Sequence, residues 1–382
     1  MTFKIAIDAT PIRAKPSGIG VYVTHLIQGL AQLQKAEDFQ LNVIYHPSFK
    51  NWLLRRFSTP QELERFPSPA PIPLPVTLVN LFSRVPNPVL PYFEKELGYP
   101  DILNGTDYFV YPCQHSLKVM TVYDLTFLKY PEYASPIVRK TYAERVHRCL
   151  QWTDLIITFA RSTRHDIANY FNYNADRIAV TSAASRFSQT RLNVNPSNPI
   201  SSFSAPYFLF VSTLEPRKNV VGLIEAFNEL KKRYKIEHHL ILIGKIGWNY
   251  QPILDAIARS PWKHQIHHLN YLPDEEVACF YANADVFVYP SYYEGFGLPV
   301  LEAMTLGAPV ITSNTSSLPE VAGDAAILID PWKPMQLAEA IFRVIGDSNL
   351  RQSLISKGKE RAKLFSWERT AKETLQAYRM LL

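Results

Sequence analysis

The sequence predicts an α/β protein of two doubly wound, parallel-sheet domains that face each other across a cleft. Three observations predict it. At 382 residues the chain exceeds what one ordinary hydrophobic core supports, so two domains are expected. Short apolar runs, near-continuous rather than alternating, recur between helical patterns along the whole length, as strands buried on both faces of a parallel sheet require. Between two series of such runs lies RLNVNPSNPISSFSAP (191–206), rich in Ser, Asn and Pro, which is linker composition.

The first series opens with KIAIDAT (4–10) and continues through LNVIYH (41–46), VMTVYD (119–124), LIITFA (155–160) and IAVTS (178–182). Each is short and rich in residues that fit a pleated, buried surface. PSGIGVYVTHLIQGL (16–30) follows the first strand, with Gly18 and Gly20 permitting a tight turn before a helix. It lacks the third glycine and the acid of a dinucleotide fingerprint, and taken alone it reads equally well as an ordinary turn. Residues 60–91 break the rhythm with nine prolines, which block helix interiors and central strands. An irregular excursion is expected there, either contacting an acceptor or simply solvated. The second series runs YFLFVST (207–213), HLILIG (239–244), ADVFVYP (284–290), PVITSN (309–314) and AAILID (325–330). The expected domains are 1–195 and 205–366.

Composition narrows the class. A hydrophobic fraction of 47% with 19% charged residues describes a soluble, well-packed globular chain. No apolar run is long enough to span a bilayer. KIAID follows Met1 almost directly, with no signal-peptide core. Cys113, Cys149 and Cys279 stand singly, without metal-binding spacing, so a reducing, cytoplasmic setting is expected. The net charge of +6 is mild and the basic residues are dispersed, so nucleic acid is not an expected partner.

The chemistry concentrates in SYYEGFGLPVLEAMTLGAPVITSN (291–314), where Glu294 and Glu302 flank a bare glycine turn. A strand ends at Pro290, Pro299 suits a first helical position, and Gly307 suits a left-handed helix end. Glu302 then lies in the opening turns of a helix and Glu294 on the loop ahead of it. Gly295 and Gly297 let backbone approach a ligand closely, and free amides at such a helix start bind phosphate. The amides can take a diphosphate while the carboxylates accept hydroxyls on either side of it, which describes a nucleotide sugar. By itself the turn is equally consistent with acids that merely complement a helix dipole.

A second stretch, VSTLEPRKNVVGLIEAFNEL (211–230), shifts that balance. Arg217 and Lys218 follow a strand, and Asn219 can cap an amphipathic helix. Adjacent cations at the C-terminal end of a parallel strand lie where α/β sheets bind ligands. Arg offers phosphate a fork and Lys a mobile point charge. A solvated basic loop is the alternative.

Together STLEPRKN, LIGKIGW, YEGFGLPVLEAM, SSLPEVAGDAA and GKERAKLFSWE resemble, in order, the retaining glycosyltransferases of family 4 (glycosyl transferases group 1). SGIGVY and VYDLTFLKYPEYA extend the resemblance more loosely into the first half. The resemblance implies the GT-B fold, two Rossmann-like domains with the final helix, 367–382, crossing back to the first. It implies that Arg217 and Lys218 neutralise the departing diphosphate. Glu294, with the amides of Phe296, Gly297 and Leu298, would hold the donor sugar, and Glu302 the ribose hydroxyls. Gly18 would lie against the phosphates, Gly244 and Lys245 would line the donor side, and Leu272 would contact the base.

One departure stands out. Where the family commonly has His-Asp beside the donor sugar, this chain has Tyr123-Asp124. A phenol with its ordinary pKa near 10 is a poor base at neutral pH. Retention on the leaving-group face does not need one, because the departing phosphate can accept the acceptor's proton.

The implied reaction moves a hexosyl unit from a nucleoside-diphosphate sugar to a hydroxyl on a glycan, a lipid-linked or a small-molecule acceptor. GDP-mannose is favoured over UDP-glucose as donor. No metal or other cofactor is expected, since the two cations take a divalent ion's role and no Asp-x-Asp motif stands at a suitable strand end. Weak peripheral contact with an inner membrane face fits the mild positive charge. A sugar-nucleotide epimerase of the same fold, or an inactive nucleotide-sugar-binding protein, is the alternative. A glycoside hydrolase is disfavoured by the phosphate-binding setting, and a nicotinamide dehydrogenase by the incomplete glycine fingerprint.

Overall fold

Strands form in this chain where Ile, Val, Leu, Phe and Tyr run together and can be covered on both sides. The structure, a computed structural model, describes residues 2–14, 17–55, 59–67, 69–72, 74–75, 77–79, 93–188 and 205–382. The chain divides into two units, one of Met1–Lys129, Pro136–Ala183 and Ser366–Leu382, the other of Tyr130–Ser135 and Ala184–Phe365. The sequence reading placed 130–135 and 184–188 in the first domain; here they group with the second. Most of the expected linker and much of the proline-rich segment lie outside the described residues. Five helices matter below: α1 (Gly18–Leu33), α2 (Val220–Tyr234), α3 (Asp274–Asn283), α4 (Leu298–Leu306) and α5 (Trp367–Arg379).

The first unit carries a parallel sheet of β1 (Phe3–Asp8), β2 (Phe39–Tyr45), β3 (Ala70–Pro71), β4 (Ile102–Gly105), β5 (Leu117–Thr121), β6 (Leu155–Thr158) and β7 (Ile178–Val180). Their order is β3-β2-β1-β4-β5-β6-β7. Two of these strands escaped the sequence reading. β3 holds Pro71 and is tolerated because it forms the sheet edge. β4 reads ILNG, whose Asn and Gly disguise a strand. Asn104 is fully buried there, and its amide donates to the carbonyls of Gly105 and Val119 and to Thr121 Oγ1.

Ser17 caps α1, its Oγ accepting from Gly20 N–H at 3.3 Å. Gly18 and Gly20 therefore form the first helical turn and not a tight turn ahead of it. Helix α5, capped by Ser366, packs on α1 in the same unit. Gly29 allows the contact, since a Cβ there would lie 2.7 Å from that of Ala371. The His25 ring stacks on Trp367 with centroids 4.6 Å apart. At the far end the Tyr378 hydroxyl donates to Asn104 Oδ1 at 2.7 Å, tying α5 to β4.

The second unit carries β8 (Tyr207–Val211), β9 (His239–Ile243), β10 (Ile266–Leu269), β11 (Val286–Tyr289), β12 (Val310–Ser313) and β13 (Ala326–Ile329). The order is β10-β9-β8-β11-β12-β13, all parallel. Every residue of β8, YFLFV, is buried, as a central strand between two helical layers demands. The unread strand here is β10, IHHL, an edge strand whose half-buried His267 bonds His239 of β9. Because β8 is followed by β9 on one side and β11 by β12 on the other, the chain leaves these two adjacent strands in opposite directions, which opens a crevice between them. That crevice is the ligand position of open α/β sheets. Among the described residues no helix is long and apolar enough to cross a membrane.

The Tyr378 bond supplies a test. In Tyr378→Phe, Asn104 Oδ1 loses this donor in a fully buried site, and an unsatisfied buried acceptor costs about 1–3 kcal/mol. Denaturant unfolding of the variant should show a loss in that range. A loss below a few tenths would mean that the bond does not help hold α5.

Candidate functional site

The loops after β8 and β11 meet around one buried carboxylate. After β8 a short turn, Pro216–Lys218, ends at Asn219, whose left-handed backbone (φ 55°) turns the chain into α2. Asn219 then caps α2, its side chain accepting from Gly222 N–H. The turn sends Arg217 and Lys218 toward the β11 loop, where Glu294 receives both. Lys218 Nζ donates to Glu294 Oε1 at 2.5 Å and Arg217 Nη1 to Oε2 at 2.9 Å. Tyr289 and Ser291 hydroxyls also donate to Oε1, at 2.9 and 2.5 Å. Arg217 is pinned further by the Tyr293 carbonyl and by Glu215. The two cations are therefore neither solvated nor separate from the glutamate: the three form one cluster.

Counting acceptor capacity defines what Glu294 can still do. A carboxylate has about two lone-pair positions per oxygen. Oε1 is oversubscribed by three donors, and Oε2 keeps one position beyond Arg217. In this arrangement Glu294 orients the cations first and can accept at most one further hydroxyl. Burial alone raises its pKa, but Arg217 and Lys218 outweigh that and hold it at about 2. Burial lowers the pKa of Lys218, and the neighbouring Arg217 adds to that.

Helix α4 begins four residues after Glu294. Gly297 precedes it at φ 108°, a conformation that favours glycine, and no side chain caps the helix start. Phe296 turns its ring toward Phe365 while its carbonyl accepts from Ser317. Leu298 opens the helix and Glu302 lies within it, buried. Glu302 Oε1 lies 3.0 Å from Arg186 Nε, and Oε2 accepts from Tyr281 of α3 at 3.3 Å. Burial raises the Glu302 pKa, and Arg186 opposes the rise. Unlike Glu294, Glu302 keeps acceptor positions on both oxygens.

The other expected residues fall into place by unit. In the second unit Gly244 follows β9 at φ 146°, where a Cβ would meet the Ser212 carbonyl at 2.0 Å. Lys245 is exposed, with Nζ 5.1 Å from the Tyr271 ring centroid, and Leu272 is half-buried nearby in sequence. In the first unit Gly18 starts α1. The Tyr123 hydroxyl donates to the Thr106 carbonyl at 2.7 Å, and its ring packs among Tyr22, Tyr108 and Phe159. Burial holds its pKa well above the ordinary phenol value. Asp124 Oδ1 accepts from Thr126 N–H, and its own amide donates to the Tyr108 hydroxyl.

Sequence reasoning missed four participants: Tyr281, Tyr289, Ser291 and Arg186. Tyr289 and Ser291 sit within the singled-out stretch or beside it, but their direction depends on the strand end. Arg186 carried no motif.

Residues 201–361 match the family model described as Glycosyl transferases group 1. The chain is 33% identical to the O-antigen chain mannosyltransferase B of Escherichia coli, over 99% of this chain and 100% of that one. Sucrose-phosphate synthase from Thermosynechococcus elongatus superposes with a TM-score of 0.74 at 20% identity, covering 99% of each chain. HepE from Anabaena, solved with UDP and glucose, superposes with a TM-score of 0.71 at 16% identity, again over 99% of each. At such identities the structures speak to the fold, two parallel-sheet α/β units of GT-B type.

The two glutamates should affect stability with opposite pH trends. The folded pKa of Glu294, about 2, lies below its unfolded value. Its stabilisation is thus present above the unfolded pKa and lost as pH falls toward 2, and at pH 7 it amounts to about 3 kcal/mol. Glu294→Gln should lower the unfolding free energy by about that much, with the gap closing between pH 5 and 2. Glu302, whose pKa burial raises against the pull of Arg186, has the opposite pH trend: wild type should gain stability relative to Glu302→Gln as pH falls from 7. Denaturant melts across that range decide it; a pH-independent deficit in Glu294→Gln would contradict the cation cluster.

Proposed function

The chain belongs to the group 1 glycosyltransferases, and on that premise we propose that it transfers mannose from GDP-mannose to a hydroxyl of a glycan acceptor, with retained anomeric configuration. The observation that carries the reading is the buried Glu294–Lys218–Arg217 cluster at the β8/β11 switch point. The relative named for adding mannose to an O-antigen chain supports mannose as the sugar and a glycan as the acceptor.

In the proposed reaction the bond between sugar C1 and the diphosphate oxygen breaks as the acceptor oxygen bonds to C1. The acceptor's proton passes to an oxygen of the departing diphosphate. Negative charge grows on that diphosphate, and pre-placed cations in a water-poor crevice stabilise it more than water does. Arg217 and Lys218 supply that potential without a metal ion, and Glu294 keeps both aimed. The uncapped start of α4 adds amide donors on the anion's side. Glu302, with acceptor positions left on both oxygens, takes the ribose hydroxyls. In the first unit the Tyr123 proton is committed to a backbone carbonyl, which supports a packing role for the phenol and not a basic one.

A thermal-shift panel with GDP, UDP and ADP tests the donor: the preferred nucleotide at 100 times its dissociation constant adds about 2.7 kcal/mol. GDP should give the largest shift, and a larger shift with UDP would overturn the mannose donor. Arg217→Ala should cut turnover by about 10²-fold at saturating donor, with activity persisting in a chelator. Near-normal turnover, or loss of activity in the chelator, would refute the cation role. Tyr123→Phe should lose no more than about tenfold, the worth of one hydrogen bond; a loss of about 10³-fold with donor affinity intact would make the hydroxyl chemically active.

A further inference from the structure

Glu302 does not stand alone at the nucleoside end of the proposed site. Arg186, near the start of the second unit's long segment Ala184–Phe365, lies against it. The guanidinium is braced by Asp274 at 3.0 Å, at the start of α3, and lies over the Phe187 ring, 4.8 Å from its centroid. That ring in turn meets Tyr281, the other donor to Glu302. Arg186 is thus oriented by an acid, a ring and a carboxylate, although its own side chain keeps 21% exposure.

The hydrogen-bond inventory of this assembly is incomplete in a specific way. Arg186 Nε is buried and lies 3.0 Å from Glu302 Oε1, yet it makes no aligned hydrogen bond. Nη1 faces Asp274, and Nη2 has no partner among the described residues. Glu302 has two donors near it and about four acceptor positions. What is left over is the pair of N–H donors on Nη2, beside free acceptor positions on Glu302. A vicinal diol presents the complement, two O–H donors for the carboxylate and two oxygen acceptors for the guanidinium.

We propose that Arg186 is a direct nucleoside-binding residue, which together with Glu302 clasps the 2′,3′-diol of the donor's ribose, Asp274 and Phe187 holding its guanidinium in place. This rests on the reading of Glu302 as the ribose contact and adds the second half of the subsite. Arg186 supplies donors that fix the diol's orientation and a positive charge that opposes the upward shift burial imposes on Glu302.

The test is calorimetric binding of GDP and of 2′,3′-dideoxy-GDP, with UDP and its dideoxy form in parallel, to the full chain. Wild type should bind the ribo form of its preferred nucleotide at least about tenfold tighter than the dideoxy form. Arg186→Gln should lose about tenfold for the ribo form and little for the dideoxy form, so that the ratio collapses. Arg186→Lys, which keeps the charge beside two carboxylates and guards against misfolding, should lose part of the ratio because it lacks the fork. Glu302→Gln should collapse the ratio as well. If Glu302→Gln collapses it and both Arg186 variants keep it, Arg186 is only a structural partner and the inference falls alone. If Glu302→Gln keeps the ratio, or no nucleotide binds wild type, the ribose reading falls and takes this inference with it. Tighter binding in Arg186→Gln would mean that the side chain obstructs the site, which also overturns it.

Discussion

The second unit is organised around one buried carboxylate. Glu294 is taken out of water by the strand end of β11, and only four donors at short range make that tolerable. Removing a single partner from such an arrangement leaves an uncompensated buried charge, which costs about 3–5 kcal/mol. The constraint runs both ways. Lys218 is itself buried, and without Glu294 it would be a cation with a tyrosine hydroxyl for company. The loop after β8 and the loop after β11 therefore have a strong reason to sit where they do. The donors held in place stand at the crevice where the sheet topology already opens.

Glu302 illustrates the contrary use of the same residue type. It is equally hidden from solvent but under-supplied with donors, and its environment favours protonation where that of Glu294 opposes it. One glutamate is spent on internal order and the other retains unused acceptor capacity. Pairs of acids whose surroundings push them apart in this way commonly take different roles in a site. The division here is set by neighbours, since the two residues occupy the same short loop-and-helix segment.

The first unit shows a parallel economy. Asn104, an unpromising residue for a central strand, is placed on β4 because its amide finds two carbonyls and a hydroxyl, and because Tyr378 from the last helix completes its oxygen. The C-terminal segment therefore belongs to the sheet laid down by the N-terminal half of the chain. Tyr123 similarly spends its hydroxyl on the Thr106 carbonyl, which joins the end of β5 to the end of β4.

Much of this was legible in the residues themselves. Runs such as YFLFV and HLILI have nowhere to go but the middle of a parallel sheet, and their alternation with amphipathic segments dictates the doubly wound architecture. The glycines and prolines around Glu294 and the Arg217–Lys218 pair mark the ends of strands by local rules that hold without any partner. What escaped was whatever depends on a neighbour. β4 and β10 are strands only because adjacent strands satisfy an asparagine and two histidines, and Pro71 is tolerated only because β3 has an edge. That Lys218 and Arg217 converge on Glu294 follows from pairing β8 beside β11, which no local pattern encodes, across sequence separations of 76 and 77. Arg186 lay in no motif at all. Its meaning comes from standing beside Glu302, because charge pairing inside a protein is decided by distance and burial, and both are properties of the folded chain alone.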